Sequence, residues 1–400
     1  MSRQIVHFHV GRSSHALFRE QLRAAPEGFT YRSPHPQLDG DGAAATRGIA
    51  AHGRTMDWLR EHGERAAIRS LSYAGFVRRA RIQPLPGSVL VHSAQFLVRD
   101  CPLPYVVDFE CLEAFALYQR VALRRPWARD RLRRALANPN LRFLLPWSEA
   151  ARRGLQSALG PSTAVGPAER TVTVLPAIHP IAERPRARER GPLRVLFVGT
   201  AFLAKGGVEA MRAVERVRAT HDVSLDMVSD VPDRWREEVW RSPGVTLHRW
   251  PAGGDVVRGL FERSDVLLFP SHMDTLGFVM LEAMAHGMPV LAARHFATPE
   301  IVEHEVSGLL CTGENLLYGE DGLCRFERTL PPPRCFRRAL AAPSDAYLDR
   351  LVGALARLAE DRGLHERLAA GALERVRAGP LSVARRREAL GRVYRQALAG

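Results

Sequence analysis

The chain of 400 residues is nearly devoid of lysine: of its 57 basic residues all but one are arginine, and Lys205 stands alone. Cysteine is sparse as well. The five cysteines (Cys101, Cys111, Cys311, Cys324, Cys335) are odd in number and form no C-x-x-C pair, which argues against a disulfide framework or a zinc site and for reduced thiols. Nowhere is there a run of about eighteen apolar residues, so no segment reads as a membrane span. Met1-Ser2-Arg3-Gln4 leads into a strand-like segment instead of a secretory h-region, and a cytoplasmic protein is expected. Clustered metal ligands are missing too. The single D-x-D, Asp39-Gly40-Asp41, lies in a Gly/Ala-rich stretch and reads as a solvated linker, so neither a metal nor a cofactor is expected.

What is abundant is positive charge, a formal net +14 at neutral pH. An excess of this size suits an acidic partner: an anionic membrane surface, a phosphorylated substrate or nucleic acid. Nucleic acid is not expected, because no helix-turn-helix, zinc-finger or RNA-binding signature accompanies the charge. The arginine-rich segments Arg124–Arg134 and Arg385–Arg395 are candidates for peripheral contact with an anionic membrane. Solvated helix faces are the plainer reading of both.

The length implies two domains of roughly 180 residues each. Residues 193–380 alternate strand and helix patterns in the manner of a parallel, doubly wound α/β sheet. Short apolar runs at Leu193–Val198, Val223–Val228, Val245–His248, Val266–Phe269, Val290–Ala293 and Leu309–Cys311 predict its strands, with helices at Val208–Ala219, Asp233–Arg241, Val256–Arg263, Leu276–His286 and Pro299–His304. Residues 1–180 show a looser version, with strands at Ile5–Val10, Val89–His92, Tyr105–Asp108, Leu141–Leu145 and Val172–Leu175, and helices at Ser14–Arg23, Thr46–Glu64 and Ser148–Leu159. The Pro/Arg-rich stretch 181–192 predicts a linker. Residues 312–345, with Pro331-Pro332-Pro333, interrupt the pattern as an insertion or lid. Helical spacing resumes over Ala346–Arg377 and Leu381–Leu398, and the terminal helix at 381–400 is a candidate to cross back to the N-terminal domain.

Two constellations carry chemistry. In the first, Val198-Gly199-Thr200-Ala201-Phe202-Leu203-Ala204-Lys205-Gly206-Gly207 follows a strand and opens a helix. Backbone N–H groups at such a turn approach an anion, the helix N-terminus favours negative charge, and a lysine completes neutralisation of a diphosphate. An ordinary glycine-rich turn is the bland alternative, since neither the P-loop nor the dinucleotide fingerprint is matched. Lys205 counts for more in a chain that otherwise writes its cations as arginine, because an ammonium is a compact point charge and a guanidinium a wide planar fork.

The second constellation runs from Phe269 to Val290. A loop holds Asp274, and a helix beginning near Leu276, Gly277 and Phe278 carries Glu282, which places both carboxylates at the strand-end crevice. Carboxylates accept paired hydrogen bonds from hydroxyls of a ribose or hexose, and free N–H groups at the helix start suit phosphate or sugar oxygens. Alternatively Asp274 is an N-cap and Glu282 a solvated helix residue.

The segment Asp274-x7-Glu282 resembles the E-x7-E signature of the group-1 retaining glycosyltransferases, glycosyltransferase family 4. Pro270-Ser271, Gly277-Phe278, Leu281-Glu282-Ala283-Met284-Ala285, Gly287-x-Pro289-Val290, Pro299-Glu300-Ile301-Val302, Ser307-Gly308-Leu309-Leu310 and Phe197-Val198-Gly199 with Lys205-Gly206 match further blocks. The resemblance spans about Leu193–Cys311 and is only topological before it. It implies a GT-B fold, two Rossmann-like domains facing across a cleft, with the nucleotide-sugar donor in the C-terminal domain and the acceptor mainly in the N-terminal one. It further implies that Lys205 binds the diphosphate, Glu282 the ribose and Asp274 the transferred sugar, with Gly199, Thr200, Gly206, Leu276, Gly277 and Phe278 around the donor. Transfer of a hexosyl group to an acceptor hydroxyl, with retention and without a metal, follows from the same resemblance.

Three departures mark this chain. Thr200 stands where the family has an arginine, Asp274 is one methylene shorter than glutamate, and the histidine expected after an N-terminal strand is replaced by the acids Asp108 and Glu110, with His92 on the preceding strand as another candidate. The altered residues keep open a non-catalytic nucleotide-sugar-binding or scaffold protein as the alternative. A nucleotide-sugar epimerase does not account for the Asp274–Glu282 block, and a pyridoxal-phosphate-dependent phosphorylase would need its lysine elsewhere.

Overall fold

The computed structural model describes residues 3–10, 16–35, 77–116, 123, 125–160, 170–314, 316–325 and 334–399. The sequence-predicted helix Thr46–Glu64, the Asp39-Gly40-Asp41 loop and Pro331-Pro332-Pro333 lie outside the described residues. The chain forms two compact units. The first is Met1–Ala177 with Tyr318–Pro332 and Val383–Gly400, and the second is Ile178–Leu317 with Pro333–Ser382.

The first unit is built on strands β1 (Gln4–His9), β2 (Phe29–Arg32), β4 (Ser88–Ala94), β6 (Tyr105–Phe109) and β7 (Leu141–Pro146), with a separate parallel pair of β3 (Arg79–Arg81) and β5 (Leu97–Arg99). The order of the main sheet is β2-β1-β4-β6-β7, and all its pairings are parallel. Helices α1 (Ala16–Arg23), α2 (Pro126–Leu136) and α3 (Glu149–Leu159) accompany it; Ser148 caps α3 by accepting a hydrogen bond from the Ala151 amide at 3.0 Å. The final helix of the chain completes this unit's core: Leu390, Val393, Tyr394 and Ala397 pack with Val6, Phe29, Leu90, Val106 and Leu145.

One expected strand is not formed. Val172–Leu175 runs beside β7 without joining the sheet, making only a bridge from Thr171 to Leu144 and amide hydrogen bonds to Leu144 and Pro146. Pro146 has no N–H to return, which ends the ladder on that side.

The second unit is the more regular. Strands β8 (Leu193–Ala201), β9 (Val223–Asp230), β10 (Val245–Arg249), β11 (Val266–Phe269), β12 (Val290–Ala293) and β13 (Gly308–Cys311) form a wholly parallel sheet of order β10-β9-β8-β11-β12-β13. β11, β12 and β13 are apolar and buried throughout because both faces are covered, as is usual in parallel sheets, whereas β8 and β9 include half-buried polar residues and the edge strand β10 is only partly buried. Between the strands lie α4 (Gly207–Val217), α5 (Asp233–Arg241), α6 (Gly254–Arg263), α7 (Phe278–Ala285) and the short α8 (Thr298–Ile301). After them come α9 (Arg334–Ala341), α10 (Asp345–Glu360) and α11 (Arg362–Arg377), and then α12 (Val383–Ala399), which belongs to the first unit. The continuous helical pattern expected over Ala346–Arg377 is divided at Asp361, whose carboxylate accepts from the Leu364 amide at 2.7 Å and so caps α11. Met211, Val214 and Val217 of α4 interlock with Leu348, Leu351 and Leu355 of α10 over the sheet. No described helix is long and apolar enough to cross a membrane.

Strand order reverses direction between β8 and β11 in the second unit and between β1 and β4 in the first. In open α/β sheets the crevice at the carboxyl ends of such strands is where ligands bind. The loops that follow β8 and β11 are those that carry Lys205 and Asp274.

Candidate donor site and the N-terminal polar cluster

Lys205 sits in a tight turn between β8 and α4. β8 continues to Ala201, past the glycine expected to end it, so Gly199 and the exposed Thr200 are strand residues, and Ser229 donates to the Gly199 carbonyl at 2.6 Å. Gly206, the residue before α4, has φ +80°, and a Cβ there would lie 2.3 Å from the Pro270 carbonyl oxygen. Only glycine lets the two loops approach this closely. The backbone reinforces the contact: the His272 amide donates to the Ala204 carbonyl at 3.0 Å.

This approach joins the two constellations. Lys205 Nζ donates to Asp274 Oδ2 at 2.5 Å and to the Met273 carbonyl at 3.0 Å, while Asp274 Oδ1 accepts from the Gly277 amide at 3.0 Å. Asp274 therefore tethers the start of α7 and also neutralises the lysine. Gly277, at φ +73° with the Phe269 ring packed against it, turns the chain into α7. Leu276, Met280, Leu281 and Met284 are buried, which fixes the helix; Phe278 and Glu282 on it are half-buried. The Glu282 carbonyl accepts from His286 Nδ1 at 2.8 Å. Among the described residues no group of three or more His, Cys, Asp or Glu side chains has the geometry of a metal site.

Two histidines that the sequence reading did not single out stand in the same place. His272, between Ser271 and Asp274, is buried and held by Glu209 of α4. His295, at the end of β12, is buried and within electrostatic reach of Asp274, His272 and Lys205. Burial pushes the His295 imidazole down to about 4, so it is neutral at physiological pH. Neither ring nitrogen makes a hydrogen bond of good geometry with a described residue, although the proximity of the Ser271 backbone favours the charged form slightly. Nothing in spacing marks either residue, because their partners lie on other strands and helices.

In the first unit the expected acids and histidine behave differently from one another. His92 and Asp108 are fully buried, with His92 Nε2 at 3.3 Å from Asp108 Oδ2, an approach without good hydrogen-bond geometry; burial of both favours the reading of His92 as a structural histidine. Arg386 of α12 lies 3.6 Å from the same carboxylate and donates to Gln21 Oε1 at 2.8 Å and to the Val174 and Leu175 carbonyls at 3.0 and 2.9 Å. Tyr394 OH meets His92 Nδ1 at 2.5 Å and Tyr31 OH at 2.8 Å. Burial lowers the Arg386 guanidinium against the pull of Asp108 and raises Tyr31 to about 12. This cluster locks α12 to the sheet, and it removes Arg386 from the cations that the arginine-rich segment could offer a membrane. Glu110, half-buried just beyond β6, remains at the strand-end edge. His9 occupies the corresponding end of β1, its Nδ1 3.2 Å from His35 Nε2.

Comparison with known proteins supplies an independent reading of the second unit. Residues 192–317 match the family of group 1 glycosyl transferases. A D-inositol 3-phosphate glycosyltransferase of Saccharomonospora viridis is 41% identical over 81 residues, 20% of this chain and 19% of that protein. An uncharacterised glycosyltransferase of Methanocaldococcus jannaschii is 32% identical over 120 residues, 29% of this chain and 30% of that one. The matches thus span less than a third of either relative. Among solved structures, sucrose-phosphate synthase of Thermosynechococcus elongatus superposes with a TM-score of 0.58 at 15% identity, covering 99% of this chain and 100% of the other. HepE of Anabaena, in complex with UDP-glucose, gives 0.55 at 14% identity over 98% and 100%. At such identities the likeness is one of fold. Both halves follow the GT-B plan.

Proposed function

We propose that the protein is a glycosyltransferase that takes a hexosyl group from a nucleotide-diphosphate sugar bound at the carboxyl edge of the second unit's sheet. The observation that carries this reading is the contact between Lys205 and Asp274 at the strand-order reversal, inside the segment matched to group 1 glycosyl transferases. The UDP-glucose complex of a protein of the same fold supports a donor of this class.

In this reading the diphosphate takes Lys205 from Asp274, and the released carboxylate turns to a hydroxyl of the transferred sugar. Gly199, Thr200, Gly206, Leu276, Gly277 and Phe278 line the donor, and Glu282 accepts from the ribose hydroxyls. As the bond from the anomeric carbon to the phosphate oxygen breaks, its electron pair passes to the diphosphate, where Lys205 and the α4 N-terminus stabilise the charge. The acceptor oxygen forms the new bond to the anomeric carbon, and its proton passes to the departing diphosphate oxygen. With His92 and Asp108 buried, Glu110 is the remaining acid placed to orient that hydroxyl on the first unit. Retention and independence of metal belong to the same proposal.

The arginines around the exposed Trp127 of α2 suit a peripheral contact with an anionic membrane. Salt-sensitive co-sedimentation with anionic vesicles is expected of that version, and its absence sinks it.

The primary test is a thermal-shift panel of UDP, GDP, ADP, TDP and their sugar conjugates. A selective rise in melting temperature that Lys205→Ala and Glu282→Ala each abolish is expected. No shift with any nucleotide at millimolar concentration removes the donor-site reading. Binding without transfer or donor hydrolysis would instead favour the non-catalytic alternative.

A further inference from the structure

A single buried side chain supports the loop that presents Asp274. His272 Nε2 lies 2.6 Å from Glu209 Oε1, and Nδ1 lies 2.7 Å from the Glu314 carbonyl oxygen. Its own amide donates to Ala204, its carbonyl accepts from the Leu317 amide at 2.9 Å, and the Tyr347 ring of α10 packs at 6.1 Å between centroids. One residue thereby ties together the Lys205 turn, α4, the segment after β13 and α10.

Both ring nitrogens face acceptors. A carbonyl oxygen cannot donate, so Nδ1 carries a proton, and the short approach of Nε2 to a carboxylate is that of a charge-assisted bond. His272 is an imidazolium in this arrangement. Burial is the largest single influence and opposes its charge, yet the Glu209 carboxylate together with the Glu314 carbonyl and carboxylate raises His272 above its ordinary value of 6.5. The groups that face it and its neighbours are Glu209 from α4, Glu314 from the segment after β13, Tyr347 from α10, and Lys205, Asp274 and His295 from the strand-end loops. Tyr347 is held neutral by burial, and His295 is discharged. The charges that remain balance as three ion pairs, Lys205 with Asp274, His272 with Glu209, and Glu314 with Arg350 of α10. Loss of the His272 proton leaves an uncompensated carboxylate beneath the turn that is to receive a diphosphate.

We propose that the buried His272–Glu209 pair is a positioning device for the donor diphosphate, and that donor binding retains a proton on His272. The inference rests on the donor-site reading and adds to it a second cation, one that does not touch the ligand. Because binding favours the protonated form, affinity falls as pH rises through the folded value of His272.

The experiment is calorimetric binding of UDP-glucose and GDP-mannose, whose diphosphates keep a constant charge, from about pH 6 to about pH 9 on wild type, His272→Gln and Glu209→Gln. Wild-type affinity is expected to fall with a limiting slope of about tenfold per pH unit above the His272 transition. His272→Gln should bind more weakly and show no such fall, while Glu209→Gln, lacking the stabilising carboxylate, should move the fall to lower pH. If His272→Gln does not fold, the displacement in Glu209→Gln decides alone. Equal pH profiles in wild type and the folded variants overturn the inference and leave the donor site standing, since binding persists. If these two and the ADP- and TDP-sugars all fail to bind the wild type, both readings fall together.

Discussion

Individual side chains at the loops after β8, β11 and β12 are under unusual constraint, and two of them make sharp predictions. His295 is neutral and buried in the folded chain with a value of about 4, against an ordinary 6.5. The folded state binds fewer protons than the unfolded state between these values, so the stability contribution is complete above pH 6.5 and declines as the pH falls towards 4. The loss is on the order of 3 kcal/mol. Chemical denaturation of His295→Gln across this interval should show a shallower decline than wild type; parallel curves would refute the assignment. Gly206→Ala places a methyl group against the Pro270 carbonyl at a positive φ. It should cost at least about 1 kcal/mol and weaken nucleotide binding.

The residues that the sequence made legible were those in recognisable spacing. Lys205 stood out as the sole lysine and Asp274 through its distance from Glu282, and the structure brings these two into contact. Glu209 and His272 are 63 positions apart, and each alone looks like a helix-surface acid and a loop histidine. Their pairing comes from the side-by-side placement of β8 and β11, which no local pattern encodes.

Elements were readable in proportion to how completely both faces are buried. β11, β12 and β13 of the second unit appear as uninterrupted apolar runs, whereas β8 and β9 are interrupted by Arg194, Ser224 and Asp226 and the edge strand β10 by Thr246 and His248. β2, with its half-exposed Thr30 and Tyr31, and the three-residue β3 and β5 have no such signal. The break between α10 and α11 was hidden because apolar spacing continues across Asp361, whereas the stop is made by a side-chain cap. Asp361→Ala should therefore lower stability by about 1 kcal/mol, while the two helices persist in circular dichroism. A larger loss would mean that Asp361 holds more than the cap.

On the scale of the whole molecule, the doubly wound pattern was visible in both halves, but the division of the chain between the units was less so. The polar cluster of His92, Asp108, Gln21, Tyr31 and Tyr394 is bound to α12 through Arg386, and α12 supplies a wall of the first unit's core. Deletion of Val383–Gly400 should abolish the cooperative melting of the first unit and leave nucleotide binding by the second. Loss of both, measured by calorimetry with and without nucleotide, would show that the second unit also depends on α12.

The position of α12 also sets an order of assembly during synthesis. Residues of the first unit leave the ribosome first, yet they cannot close their core until Arg386 and Tyr394 emerge, after every strand of the second unit has been made. The amino-terminal half therefore completes its core last, once the side chains of α12 can cover the apolar sheet residues Val6, Leu90, Val106 and Leu145.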